Sequence, residues 1–334
     1  MKADLLFFKS GTPPLGATFR FRELSLIPAI IVAIAIGSFV NPAFLTTDNF
    51  LNIFQQSSEL SIVVIAESLI LLAGKFDLSL ESIVGLAPML GARLMTNSSI
   101  GGSGAGINPY FAIVVVLMCG GLVGLFNGFL VVRMRLNAFI VTLSMLILLR
   151  GVTLGISNGK TLFDLPDPYL YLGTAKWFSV PASIWISGFL YLVFGLFLRY
   201  HRLGRALYAI GGNAQAARAA GIQVEPILWV VYVVAGVLSA IAGLMLTGRI
   251  ASVVASQGQN MIFYVFASAV IGGISLNGGR GRLLGALSGV LLLGILQNVL
   301  TLSQVPAFWI DSVYGAIILF SLVLARVAGG AQDT

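Results

Sequence analysis

Four polar side chains interrupt one apolar run at a spacing that chemistry can use. Asn52, Gln56, Glu59 and Glu67 stand among Leu, Ile, Val, Ala and Phe, and at about 100° per residue they fall within an arc of about 80° on a helix. Such a stripe faces a bundle interior or a water-filled path, because carboxylates and amides turned toward lipid lose their hydrogen bonds. Glu67, set between Ile65-Ala66 and Ser68-Leu69-Ile70-Leu71-Leu72, is its sharpest member. Two readings of Glu67 stand level: a carboxylate handling solute or protons in a translocation path, or a structural carboxylate paired to Arg150 or bonded within its helix. Glu59, nearer the outer end of the run, reads more simply as a wet side chain. A second polar cluster, Ser256-Gln-Gly-Gln-Asn-Met-Ile-Phe-Tyr-Val-Phe266, brings Asn260, Phe263 and Tyr264 together. Aromatic faces and amides are what a sugar site uses, stacking on C–H faces and bonding hydroxyls, and they also make an interfacial aromatic belt.

Other chemistry is excluded by what is missing. The single histidine, His201, stands among arginines with no Cys, His or carboxylate at metal-ligand spacing, so no metal site is expected. The single cysteine, Cys119, lies in an apolar run and reads as a small packed hydrophobe. No Gly-x-x-x-x-Gly-Lys-Ser/Thr loop occurs, and the clusters at Gly101–Gly106 and Gly278–Gly281 lack the lysine that reaches a phosphate. No cofactor is expected, and any ATP hydrolysis belongs to another polypeptide.

The elements that must position these side chains are membrane spans. The 334 residues are 58% hydrophobic and 9% charged, with a mean hydropathy of +0.99, which is the composition of a polytopic membrane protein rather than a soluble domain. Ten apolar runs are expected as helices, at Leu24–Val40, Leu51–Ala73, Leu78–Met95, Tyr110–Val132, Ala138–Ser157, Ile184–Leu198, Ile227–Thr247, Met261–Leu276, Leu283–Leu302 and Ala307–Ala325. The fold class is therefore an all-α bundle of about ten transmembrane helices. One domain at 24–326 lies between tails at 1–23 and 327–334. The second, third and eighth runs are short or polar enough to be tilted, broken or pore-lining. The net charge of +7 follows the positive-inside pattern rather than a nucleic-acid surface. With the N-terminus inside, Lys75, Arg133, Arg135, the arginines at 199–205, Arg218, Arg280, Arg282 and Arg326 all fall on the cytoplasmic side, and both termini are cytoplasmic. The N-terminal run is read as an uncleaved tail and first span.

The external connection at Asn158–Pro181 carries prolines that preclude a long helix and aromatics that suit a lid or a short interfacial helix. It either receives a partner protein or simply connects. Two cytoplasmic turns, at Gly74–Ser79 and Gly272–Gly281, are loosely alike and hint at an internal duplication of the bundle. Between the sixth and seventh runs, Arg199–Ile222 reads as exposed and helical. Asn213 suits an N-cap, Ala214–Ala220 is strongly helix-forming, and Gly221 suits the position just past a C-terminus. So short a helix needs a surface to dock on, and its alanines fit a protein groove better than lipid, which asks for larger apolar residues.

With those residues in view, Arg202–Ile222 resembles the coupling loop of inner-membrane permeases of the ribose, xylose and arabinose class of ABC importers. Four further blocks agree in order: Phe44–Ile53; Phe76-Asp-Leu-Ser79; Asn137–Leu143 with Leu149-Arg-Gly-Val152; and Ile271–Gly281. The resemblance covers about Phe44 to Arg326. It implies a subunit of the inner (plasma) membrane that performs no catalysis and forms half of a pore with a second permease subunit, identical or different. A cytoplasmic ABC ATPase binds the ATP, and a periplasmic solute-binding protein delivers a monosaccharide or related polyol. On this chain the coupling segment is 199–226. Its contact set is Gly204, Arg205, Gly212, Asn213, Ala214, Ala217, Arg218 and Gly221. The chain departs from the family pattern at Glu59, Glu67 and Glu81, and at Met261–Tyr264, where an acidic pair is usual. These departures leave the cargo open between a hydroxylated, an amino and a cationic compound. Two other classes compete. One is a proton-coupled secondary transporter using Glu59, Glu67 and Arg150 as a relay; the other is an intramembrane enzyme, which has almost no catalytic side chains to use.

Overall fold

A computed structural model of the chain describes residues 26–98 and 101–306, and, beyond these, 309, 310, 312, 313, 315, 316 and 319. Both tails, the expected start of the first span at Leu24, and most of the tenth run lie outside the described residues. Helix α1 is Ile27–Val40. A 3-10 turn at Pro42–Leu45 leads to α2, Thr47–Leu72, whose cap Thr46 accepts the Asn49 N–H on its side-chain oxygen. Then follow α3 (Leu80–Met95), α4 (Pro109–Gly128, continuing as a π turn at Phe129–Arg133) and α5 (Ala138–Ser157). The connection expected outside folds as a short helix, α6 (Asp167–Thr174), and a minimal hairpin of β1 (Lys176–Trp177) and β2 (Val180–Pro181). The remainder is α7 (Ala182–Tyr200), α8 (Arg202–Gly212), α9 (Ala214–Ala219), α10 (Val224–Ile250), α11 (Met261–Ile271) and α12 (Leu283–Leu302).

This is an all-α polytopic bundle. Among the described residues six helices, α2, α4 with its π turn, α5, α7, α10 and α12, are long and apolar enough to cross a membrane. The expected irregularity falls on two of the three runs named for it. Helix α2 is unbroken over 26 residues, whereas α3 has 16 residues and α11 only 11. At about 1.5 Å per residue neither α3 nor α11 spans the roughly 30 Å hydrocarbon layer. Short helices at membrane depth are tolerated where protein buries their ends. Helix α3 is buried almost throughout, enclosed by α4, α5 and α10.

The core runs along α2, α3 and α10. From Ser57 to Leu72 every α2 residue except Leu60 is buried, because α10, α12, α11 and α7 all pack around it. Helices α4 and α10 approach until backbone meets backbone: a Cβ on Gly120 would overlap the Gly236 carbonyl, and one on Gly124 the Tyr232 carbonyl. Small residues at a crossing are how helices associate where lipid removes the hydrophobic drive. The outward faces of α4, α5 and α7 carry exposed Leu122, Ile147 and Phe189, as lipid-facing surfaces do. Helix α6 is not a surface lid. Its Tyr169 hydroxyl donates to the Pro88 carbonyl at 2.7 Å, its Gly173 carbonyl accepts from Gln55 Nε2 at 3.0 Å, and Gly173 abuts the Gly248 and Arg249 backbone. The connection thus ties the last turn of α10 to α2.

Candidate translocation path and coupling segment

Where α10 packs along α2, Arg249 stands opposite Glu59. The guanidinium Nε donates to Glu59 Oε1 at 2.7 Å, and the carboxylate is 2% exposed against 29% for the arginine side chain. Glu59 is therefore not a solvated end residue. The apolar walls of α2 leave its charge no water, and Arg249 supplies the counter-charge. The pair borders a cavity of about 230 Å³. Gln56 and Ser57 come from α2, Leu246 from α10, Gln259 and Tyr264 from around α11, and Gly294 and Gln297 from α12. The side-chain amides of Gln56, Gln259 and Gln297 make no hydrogen bond among the described residues. On the floor, Gly294 leaves room for the Ser57 hydroxyl, which a Cβ there would overlap.

Of the residues expected on the path, the structure brings Gln56, Glu59 and Tyr264 together and leaves the others elsewhere. Asn52 is exposed one turn beyond the cavity, and Phe263 is exposed away from it. Asn260 is the left-handed residue that starts α11, with φ +65°. Arg150 pairs with Glu81 rather than Glu67, since α3 is the helix that faces α5. Glu81 also accepts the Ile262 N–H at 3.1 Å, so the residue that departs from the family pattern joins α3 and α5 to the first turn of α11. Glu67 is fully buried and accepts the Asp77 N–H at 3.4 Å. Asp77 in turn receives the Ser79 N–H at 2.9 Å, the Ser79 hydroxyl at 2.6 Å and the Asn127 amide, so it fixes the turn between α2 and α3. The relay imagined through Glu59, Glu67 and Arg150 is dispersed over three separate contacts. Sequence reasoning missed Arg249, Gln259 and Gln297. Arg249 ends an apolar run, and its meeting with Glu59 depends on how α10 packs along α2. Gln257, inside the amide-rich segment, serves structure: its Nε2 donates to the Val84 and Gly243 carbonyls at 3.0 and 3.1 Å.

At the C-terminal end of α2 lies the segment expected to couple. It folds as two helices rather than one. Amphipathic α8 buries Gly204, Ala206, Leu207 and Ile210. Asn213 then breaks the chain and caps α9, its Oδ1 accepting the N–H groups of Gln215 and Ala216 at 2.9 and 3.0 Å. Gly221 follows α9 at φ +81°, as its position requires. The outward surface is small and polar, with Gly212, Gln215, Ala216, Arg218, Ala219 and Ala220 exposed. Within the expected contact set, Gly204 and Ala217 turn inward instead. A Cβ on Gly204 would press on Leu198 and the Phe197 carbonyl, and Ala217 is 4% exposed. Arg205 donates to the Tyr200 carbonyl at 2.7 Å, and Arg218 pairs with Glu225 at 2.7 Å. Ala214, half-buried, opens α9.

The segment is seated without slack. A Cβ on Gly211 would overlap both the Leu72 carbonyl and the Gly279 nitrogen. Gly279 N–H donates to that same Leu72 carbonyl at 3.0 Å, and the Tyr208 hydroxyl donates to the Gly281 carbonyl at 3.0 Å. The two turns that look alike in sequence thus converge on the C-terminal end of α8.

A bundle of long apolar helices with two short ones among them, an open cleft beside a buried ion pair and an exposed helix fastened to the core fits an integral-membrane transport protein. The chain belongs to the family described as the permease component of branched-chain amino acid transport systems, whose family model matches residues 49–322. It is 35% identical over 319 residues to the ribose import permease protein RbsC of Escherichia coli K12, an alignment covering 94% of this chain and 97% of that one. It is 34% identical over 302 residues to the D-allose transport system permease protein AlsC of the same strain, covering 90% of both chains. To the L-arabinose transport system permease protein AraH it is 34% identical over 334 residues, covering 97% and 98%. The chain is thus a membrane-embedded permease subunit of an ABC importer, a system that also has an ATPase and a solute-binding protein. Its relatives are transport permeases, not enzymes.

Proposed function

We propose that the chain forms half of the translocation pore for a monosaccharide or related polyol, with both termini and the 199–226 segment cytoplasmic. A second permease subunit, identical or different, completes the pore, and a periplasmic binding protein delivers the solute to the end where α6 and the β1–β2 hairpin lie. The exposed small-residue face of α9, seated through α8 on the ends of α2 and the 272–281 turn, is the observation that carries this reading. A groove on the ATPase can take a helix that shows alanine and glycine, and a helix packed backbone to backbone on the core passes movement on as a rigid body. The sugar assignment rests on the named relatives, and the cavity suits it. At about 230 Å³ it lies below the roughly 300–1,000 Å³ of pockets for drug-sized ligands, and it offers three side-chain amides for hydroxyls. ATP stays on the separate subunit, and this chain needs no cofactor.

The test is reconstitution with the ATPase and binding protein from neighbouring reading frames, following uptake of labelled ribose, D-allose and L-arabinose. Uptake of one of these that requires ATP supports the proposal. Uptake by the permease alone, driven by an imposed pH gradient, would instead establish the proton-coupled alternative.

A further inference from the structure

The Glu59–Arg249 pair does more than solve the burial of one carboxylate. Because Oε1 engages Nε, neither Nη of Arg249 makes a hydrogen bond among the described residues. The guanidinium is part-exposed on the same cavity that Gln56, Gln259 and Gln297 line. The cavity therefore offers donors from Arg249, donors and acceptors from three amides, and no net charge from its one ion pair. A hydroxyl both donates and accepts, so a polyhydroxylated solute satisfies these groups while the pair stays joined. An anion taking the unengaged Nη groups would set a second negative charge beside buried Glu59, with one cation to serve both. A cation competing for Glu59 meets the repulsion of Arg249. Breaking a buried pair is costly because a desolvated charge is left behind.

We infer that Glu59 and Arg249 form a charge-neutral selectivity element that admits uncharged polyhydroxylated solutes and rejects ions of either sign. The inference rests on the cavity being the solute path proposed above. It goes further by assigning discrimination to this pair and by excluding the cationic cargo that the departures from the family pattern left open in the sequence.

Thiol accessibility tests it without ATP, binding protein or knowledge of the cargo, so it stands or falls separately from the uptake experiment. In a Cys119→Ser background, Gln297→Cys places one thiol on the cavity. Its modification rates with an uncharged, an anionic and a cationic methanethiosulfonate are each divided by the rate with a free thiol. The uncharged reagent should be fastest in this parent. Glu59→Gln should raise the anionic-to-neutral ratio by about tenfold or more, the low end of what a charged cleft does to local ion concentration. Arg249→Gln should raise the cationic ratio similarly, and the exchange Glu59→Arg with Arg249→Glu should restore neutral preference. The parent ranking decides even if a pair variant does not fold: an ionic reagent reacting fastest there overturns the inference. So do unmoved ratios in folded Glu59→Gln and Arg249→Gln proteins.

Discussion

The middle of α2 and its C-terminal end are built on opposite principles. At Leu72 the helix meets Gly211 and Gly279 through bare backbone. At Glu59, thirteen residues earlier and about 20 Å away along the axis, it meets Arg249 and uncommitted amides across open space. Close packing without side chains leaves little compliance, which suits a part that must transmit force. A cavity lined by long polar side chains can adapt to a solute. One helix joins them, and on the proposed coupling it is the element that would carry a displacement from the glycine junction to the ion pair.

Substitutions can break either side of this contrast. The largest effect is expected at the junction. Gly211→Val places branched carbon where the Leu72 carbonyl and Gly279 already touch, and overpacking with no flexible neighbour costs about 1–3 kcal/mol or more. It should abolish uptake and sharply lower the yield of monodisperse protein in detergent. Arg249→Ala attacks the other site. It leaves Glu59 buried without its cation, which typically destabilises by about 3–5 kcal/mol, and a thermal melt in detergent reads the loss. The cavity lies in open space, however, where water and neighbouring amides can relieve part of that cost, so some folded protein should survive. Asn213→Ala removes the cap of α9, worth about 1 kcal/mol. Uptake should fall severalfold while the melting temperature of the bundle changes little, since α9 is a six-residue appendage. Arg218→Ala should move stability least, because an exposed pair such as Arg218–Glu225 contributes about 0–1 kcal/mol. A large stability loss there would mean that the α9 surface is part of the core rather than a contact face.

Much of this was legible in the sequence, and the reasons differ by region. The spans follow from long apolar runs, so α4, α5 and α12 lie where their composition puts them. The ends of α9 were legible because Asn213 and Gly221 act through local backbone geometry, which neighbours scarcely alter. Periodicity put the stripe on one face of α2, yet it did not separate Glu59, which meets a cavity, from Glu67, which meets a turn. That distinction depends on which helix lies alongside at each level. Arg249 was missed for the same reason: its partner lies 190 positions away and is brought near by the packing of α10 along α2, which leaves no local pattern. The inward turn of Ala217 was hidden because alanine suits both a buried contact and a close-fitting surface.

That last point selects the most direct test of the central claim, that the α8–α9 segment couples this bundle to the ATPase. A tryptophan at Ala217 would disturb the core, so the substitution belongs at exposed Ala216. In the complex with ATPase and binding protein, Ala216→Trp should leave the melting temperature of the permease unchanged while solute-stimulated ATP hydrolysis falls to the rate of the free ATPase. Stimulated hydrolysis at the parent rate in that variant would contradict the claim.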